Sequence, residues 1–289
     1  MATIAREEKI RKRSTSRLMA NAISYFLLIT GSILILIPFY WMVSSSLKDA
    51  GVIFKSPPDW IPHPVMWVNY PDALKFMNFL RCLGNTCTIT FIAMAGQMTS
   101  ASIVAYGFAR MRFPGRDVLF IVLLSTIMLP AQVTLIPIFK IFTTLGWYDT
   151  FYPLTVPAFF GGGVFFIFLL RQYYMTIPIE MDEAAKIDGA GTFGIFTKVI
   201  LPQAKPALAT VAIFSFMGHW NDFLGPLIYL GDPMKRTLAL ALYAFQGEHA
   251  TDWHLLMAAA TVVMLPLLTL FFCAQKYFIQ GVVISGVKG

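Results

Sequence analysis

The chemistry-bearing residues of this chain fall into three groups. The first is Ser215, His219 and Asp222, with Trp220 and Asn221 beside them, inside a long apolar run. Spacings of four and three place Ser215, His219 and Asp222 on one face if the run is one helix. Asn221 then points elsewhere on the wheel. Hydroxyl, imidazole, amide and carboxylate groups beside an indole could bind a hydroxyl-rich solute, or could hydrogen-bond neighbouring helices. The second group is acidic: Glu180, Asp182 and Glu183 follow Pro178 at the start of a short helical pattern, where they suit the positive helix end. The third group is Gln246-Gly247-Glu248-His249 and Asp252-Trp253-His254. Its histidines have too loose a spacing for a metal site. Cys82, Cys87 and Cys273 form neither a disulfide framework nor a ligand spacing. There is no G-x-x-x-x-G-K-[ST] loop to cradle nucleotide phosphates, so ATP hydrolysis by this chain is not expected.

The elements that must position these residues are membrane helices. Of 289 residues, 57% are hydrophobic and only 13% charged, and mean hydropathy is +0.67. A soluble domain carries about 25% charge, so a soluble enzyme, a disordered chain and a nucleic-acid binder are excluded. Six apolar runs have spanning length: about 18–43, 86–109, 118–139, 152–174, 207–230 and 255–278. A basic arm, residues 1–17, precedes the first run, which is too long for a signal-peptide core and lacks its cleavage site. Pro130 and Pro137 should kink the third span. Pro153, Pro157 and Gly161-Gly162-Gly163 should bend or break the start of the fourth. The expected fold is all-α: a polytopic membrane bundle of six transmembrane helices with a cytoplasmic helical loop.

With the N-terminus inside, fifteen of the 22 Lys and Arg fall on cytoplasmic segments and seven on outside ones. This favours cytoplasmic N- and C-termini. Arg110, Arg112 and Arg116 make the strongest local cluster.

The link between spans four and five, about 176–206, has its own pattern. Residues 179–187 form a short helix, Asp188-Gly189-Ala190-Gly191 break it, and an apolar stretch over 193–201 ends at Pro202. This is a helix–turn–helix bracket too short to cross a membrane. Its apolar face suits docking in a partner's groove or lying on lipid.

On these residues the chain resembles a known family. Glu183-Ala184-Ala185, Asp188-Gly189-Ala190, Phe193, Phe196, Leu201-Pro202 and Pro206 match the "EAA" loop of ABC importer permeases. The run 220–227, the segment 245–249 and the tail 285–289 resemble the carbohydrate-uptake subgroup. Within that subgroup the chain is similar to the second, six-span permease of the maltose importer. The resemblance covers nearly the whole chain, with residues 18–289 as the transmembrane domain.

The resemblance implies a plasma (inner) membrane subunit that shares a carbohydrate path with a second permease. Two copies of an ABC ATPase bind beneath, and an extracytoplasmic solute-binding protein delivers the sugar. No nucleic acid is involved. ATP and Mg would bind the ATPase partners, and no cofactor would bind this chain. By the same resemblance, Glu183, Ala184, Ala185, Asp188, Gly189, Ala190, Phe196 and Pro202 would form the coupling helix region that docks on the ATPase. Ser215, His219, Trp220, Asn221 and Asp222 are the candidates for the path. Gln246, Gly247, Glu248 and His249 would touch the binding protein, and Gly286, Lys288 and Gly289 would reach the ATPase interface. An ion-coupled transporter or a polytopic membrane enzyme is the competing class. The first should show an internal repeat, and the second a complete catalytic constellation; neither is visible.

Overall fold

A computed structural model describes the backbone of residues 2–246 and 251–286, and the side chains of residues 19–246 and 251–275. Among the described residues there is no strand. Four helical segments are long and apolar enough to cross a membrane: Met19–Ser46, Phe79–Arg110, Tyr152–Thr176 and Trp253–Gln275. Two bent pairs, Arg116–Met128 with Ala131–Thr144 and Thr192–Gln203 with Lys205–Trp220, bring the count to six if each pair is one span.

Contacts divide the chain into two units, Met1–Ala73 with His249–Thr261, and Leu74–Glu248 with Val262–Gly289. In the first, helix α1 (Ala2–Ser46) carries the first apolar run. Its side chains from Met19 to Phe39 are almost all exposed, as a helix wrapped by lipid requires. The chain after α1 folds back on its end. Ser44 Oγ and Tyr40 Oη both donate to the carbonyl of Trp60. Asn69 Nδ2, at the start of α2 (Asn69–Phe76), donates to the carbonyls of Ser46 and Lys48. The buried Lys48 ammonium sits 4.0 Å from the Trp41 ring centroid.

In the second unit α3 (Phe79–Arg110) is the axis. Its buried positions include Ala93, Gly96, Ala101 and Ala105, and small residues let neighbouring helices approach closely. Helices α4 (Arg116–Ser125) and α5 (Ala131–Thr144) meet at 99°. Pro130 sits at that break, since it cannot donate to a continuing helix. Pro137, by contrast, lies inside α5 without ending it.

The fourth span is broken near its start, as its proline and glycine content requires. The short α6 (Tyr152–Thr155) and a 3₁₀ turn (Val156–Phe159) precede α7 (Val164–Thr176). Between them Gly161, Gly162 and Gly163 all have positive φ. Gly162 is required by contact as well as conformation: a Cβ there would collide with the backbone of Ala101. Ser100 Oγ accepts from the Gly161 amide at 2.8 Å, which satisfies one group freed by the break.

After α7 come α8 (Glu180–Ile187) and α9 (Thr192–Ile195). A π-helical segment (Phe196–Ile200) leads into α10 (Leu201–Gln203). The second limb of the bracket therefore runs through Pro202, which occupies the first turn of α10, where a missing N–H costs nothing.

Helix α11 (Lys205–Trp220) ends at Trp220 instead of continuing to about 230, and α12 (Leu224–Tyr229) is separate. Residues 230–246 follow it. A 3₁₀ turn (Pro233–Lys235) and α13 (Leu238–Tyr243) lie against α3. Asn85 Nδ2 donates to the carbonyls of Met234 and Arg236, and Thr86 Oγ1 accepts from the Leu238 amide. Helix α14 (Trp253–Gly286) closes the chain.

Candidate functional site

The bracket has a buried root and an exposed face. Asp182 of α8 is buried against Arg110 in the last turn of α3. Arg110 Nε and Asp182 Oδ2 are 3.7 Å apart, and both side chains are 5% exposed. Arg110 Nη2 also donates to the Ile177 carbonyl at 2.6 Å. One arginine thus holds both the entry to the bracket and its first helix. The second limb is tied to the same axis, since Tyr106 of α3 donates to the Thr192 carbonyl and packs its ring 4.9 Å from that of Phe196. Tyr173 of α7 donates to the Gln203 carbonyl.

Placement therefore divides the eight bracket residues singled out from sequence. Phe196 is buried in the core, and Ala185 and Ala190 pack against it. Glu183, Ala184, Asp188, Gly189 and Pro202 are exposed. Gly189 has φ +82°, a left-handed turn conformation that favours glycine. Asp182 is a buried partner of Arg110 and not a free charge at the helix start. Its burial needs a counter-charge on another helix, which local sequence does not display.

The outer face of the bracket carries the apolar side chains of Ile187, which sequence reasoning did not single out, and of Phe193, which it quoted in the motif. Ile187 is 87% exposed and Phe193 74%. They flank the Gly189 turn, one on each limb, and Met181 of α8 is exposed as well. Two large apolar side chains thus stand exposed on a short bracket. The signal was available: an apolar residue on either side of a turn, Ile187 before Gly189 and Phe193 after it.

The second site lies inside the bundle. Ser215 Oγ donates to Gln97 Oε1 at 2.6 Å, and His219 Nε2 lies 3.3 Å from the same oxygen. Gln97 of α3 is thus the acceptor that joins two residues of α11. Ser215 is buried and His219 half-buried.

Asp222 does not share their helical face, because α11 ends two residues earlier. Its Oδ1 accepts from the Gly225 amide at 3.1 Å and so organises the start of α12. Trp220 is buried and stacks on Phe216, 5.1 Å between centroids. Asn221 is exposed and donates to the Met217 carbonyl. The path candidates thus fall into separate hydrogen-bond sets among the described residues. Ser215 and His219 belong together, with Gln97 as their common partner.

Gln246 is exposed at the end of the connection after α13; Gly247, Glu248 and His249 lie outside the described residues. Gly286 is the last residue of α14, and Lys288 and Gly289 lie outside the described residues. The connection is shaped by Asp149, whose φ is +56°. Its Oδ1 accepts from the amides of Gly231 and Asp232, and its Oδ2 pairs with Lys235 at 2.7 Å.

A helical membrane bundle with a bracket rooted on its central helix is the architecture of a transport permease. The family model for binding-protein-dependent transport system inner membrane components matches residues 97–284, and the chain belongs to that family. It is a permease subunit of an ABC importer. It is 34% identical over 259 residues to the probable ABC transporter permease protein YurM of Bacillus subtilis, covering 87% of this chain and 83% of YurM. It is 37% identical over 221 residues to the osmoprotective compounds uptake permease protein GgtD of Synechocystis, covering 76% and 74%. A solved chain of a bacterial ABC transporter that imports alginate superposes with a TM-score of 0.80 at 23% identity, over 91% of this chain and 98% of that one. The sn-glycerol-3-phosphate permease UgpE of Yersinia pestis is also similar, 30% identical over 90% of this chain and 95% of its own length.

Proposed function

We propose that this subunit and a second permease form the path for a hydroxyl-rich solute of the carbohydrate or polyol-phosphate class. A solute-binding protein delivers the solute, and two copies of an ABC ATPase drive its passage. ATP and Mg are held by those partners, and this chain contributes motion and not hydrolysis. GgtD, an uptake permease for osmoprotective compounds, and UgpE, a permease for sn-glycerol-3-phosphate, support the substrate class. The pairing of Gln97 with Ser215 and His219 supports it as well, because these are polar hydrogen-bonding groups within the bundle.

The observation that carries the proposal is the bracket: Ile187 and Phe193 exposed, Asp182 and Arg110 buried behind them. The apolar pair docks in the ATPase, and Glu183 beside it offers a charge for a basic partner group. The buried root, with the Tyr106 and Tyr173 bonds, passes a displacement of α8 and α9 directly to α3 and α7. In this reading the bracket, the basic arm and both termini are cytoplasmic. Gln246–His249 face the binding protein, and the tail with Gly286, Lys288 and Gly289 meets the ATPase.

The test is co-purification of the ATPase with Ile187→Ser and Phe193→Ser variants in the assembled importer. Both should insert normally, lose the ATPase on size exclusion and lose uptake. Retained ATPase and normal uptake in the double variant would defeat the docking assignment.

A further inference from the structure

At the corner between α3 and α4 an open cleft of about 460 Å³ is lined by Arg112, Phe113, Gly115, Arg116, Asp117 and Val118. Arg116 Nε pairs with Asp117 Oδ1 at 2.9 Å, and its Nη1 donates to the Met111 carbonyl. Arg112 is exposed and has no hydrogen bond or ion pair among the described residues. Arg171 of α7 stands close enough to interact electrostatically with both Arg116 and Asp117. Its guanidinium lies over the Phe120 ring at 4.0 Å, and its Nε donates to the Phe108 carbonyl. Three guanidinium groups against one carboxylate leave the corner with a net positive charge.

The cleft opens onto apolar surface. Val118, Leu119, Ile121 and Val122 of α4 are all exposed, and α4 belongs to a membrane-crossing pair. A soluble anion would use the charge and leave this surface uncovered. A ligand with an anionic head and apolar tails matches both halves. Basic pockets beside transmembrane helices bind lipid head groups in this way.

We propose that the α3–α4 corner is a binding site for an anionic phospholipid. Arg112 and Arg116 hold the head-group phosphate, and the exposed face of α4 receives the acyl chains. Arg110, which anchors the bracket, precedes Arg112 by two residues in the same chain segment. Occupancy of the corner therefore bears on the end of α3 that holds the bracket.

The experiment is native mass spectrometry of the detergent-purified importer, incubated in turn with phosphatidylglycerol, phosphatidylcholine and inorganic phosphate. Wild type should retain phosphatidylglycerol over phosphatidylcholine, and inorganic phosphate should not displace it. Arg112→Gln should lower phosphatidylglycerol retention about fivefold, the effect of one cation near an anionic surface, and Arg112→Lys should restore it. Arg112 makes no bond within the described chain, so its replacement leaves the fold intact; an unchanged melting temperature of the Gln variant is the control. Equal retention of the two lipids, equal retention by Arg112→Gln, or displacement by inorganic phosphate would each overturn the proposal.

Discussion

Asp182 of α8 and Arg110 of α3 face each other at 3.7 Å with both side chains 5% exposed, and they come from separate helices. The separation is an ion pair and not a hydrogen bond, so the pair depends on charge. Removing one member of such a buried pair leaves an uncompensated charge at a cost of about 3–5 kcal/mol. Asp182→Ala should therefore lower the melting temperature of the purified importer and expose the bracket to protease. An apolar double replacement, Arg110→Met with Asp182→Leu, should recover much of the loss. Equal melting of Asp182→Ala and wild type would show that the pair contributes nothing.

The triple-glycine break is tested at Gly162. Its buried Cα faces the Ala101 backbone, and its φ is +56°. Forced overpacking costs about 1–3 kcal/mol, and an L-residue at that φ adds strain. Gly162→Ala should reduce assembly or thermal stability, whereas Gly161→Ala, with nothing within 4 Å of its Cβ, should suffer only the conformational cost of its φ of +99°. Melting curves of the two variants make the comparison.

Gln97, Ser215 and His219 share one oxygen. Interhelical hydrogen bonds in membrane proteins average about 0.6 kcal/mol in double-mutant cycles. Gln97→Ala and Ser215→Ala should each destabilise modestly, and the pair should show a coupling of that size. A path role requires more: uptake KM should change in Ser215→Ala at unchanged expression. If stability shifts and KM does not, the cluster joins helices and never meets the solute.

Asp149 gives a pH signature. The Lys235 hydrogen bond, then the Asp232 amide, hold its carboxyl below its usual value of 3.8. A lowered folded value means that its stabilisation is complete above 3.8. That stabilisation is lost as pH falls through the lowered value, because the unfolded carboxylate takes up its proton first. The amides of Gly231 and Asp232, both bonded to Asp149 Oδ1, should lose hydrogen-exchange protection in that acid range. Asp149→Asn should remove the acid dependence.

Much of the fold is legible along one dimension. An apolar run of spanning length is a property of the run itself, so the membrane class and the approximate count of six follow without tertiary information. The bracket is legible for a similar reason: a helical pattern, an Asp-Gly break and a second apolar stretch are all local. The end of the fifth span is not legible. Residues 207–230 are apolar throughout, and helix length there is decided by whether Asp222 takes part in the helix or accepts from Gly225 ahead of α12. Arg110 is a further case. The next charged residues along the chain are Arg112 and Arg116, while its partner is Asp182, beyond the whole of α4 to α7.

The sequence by itself determined that this is a polytopic membrane subunit with a helix–turn–helix bracket of the ABC importer type, because hydropathy, turn chemistry and motif spacing are written in consecutive residues. Only the tertiary structure decided which bracket residues face outward. Ala185, Ala190 and Phe196 turn to the core, and Ile187 and Phe193 turn away. It also decided that Gln97 is the hydrogen-bond partner Ser215 and His219 share, while Asp222 accepts from Gly225. The physical reason is the same in both cases. A side chain's role in a bundle depends on which distant helix fills the space beside it, and here that space is set by how α7, α8 and α11 pack on α3.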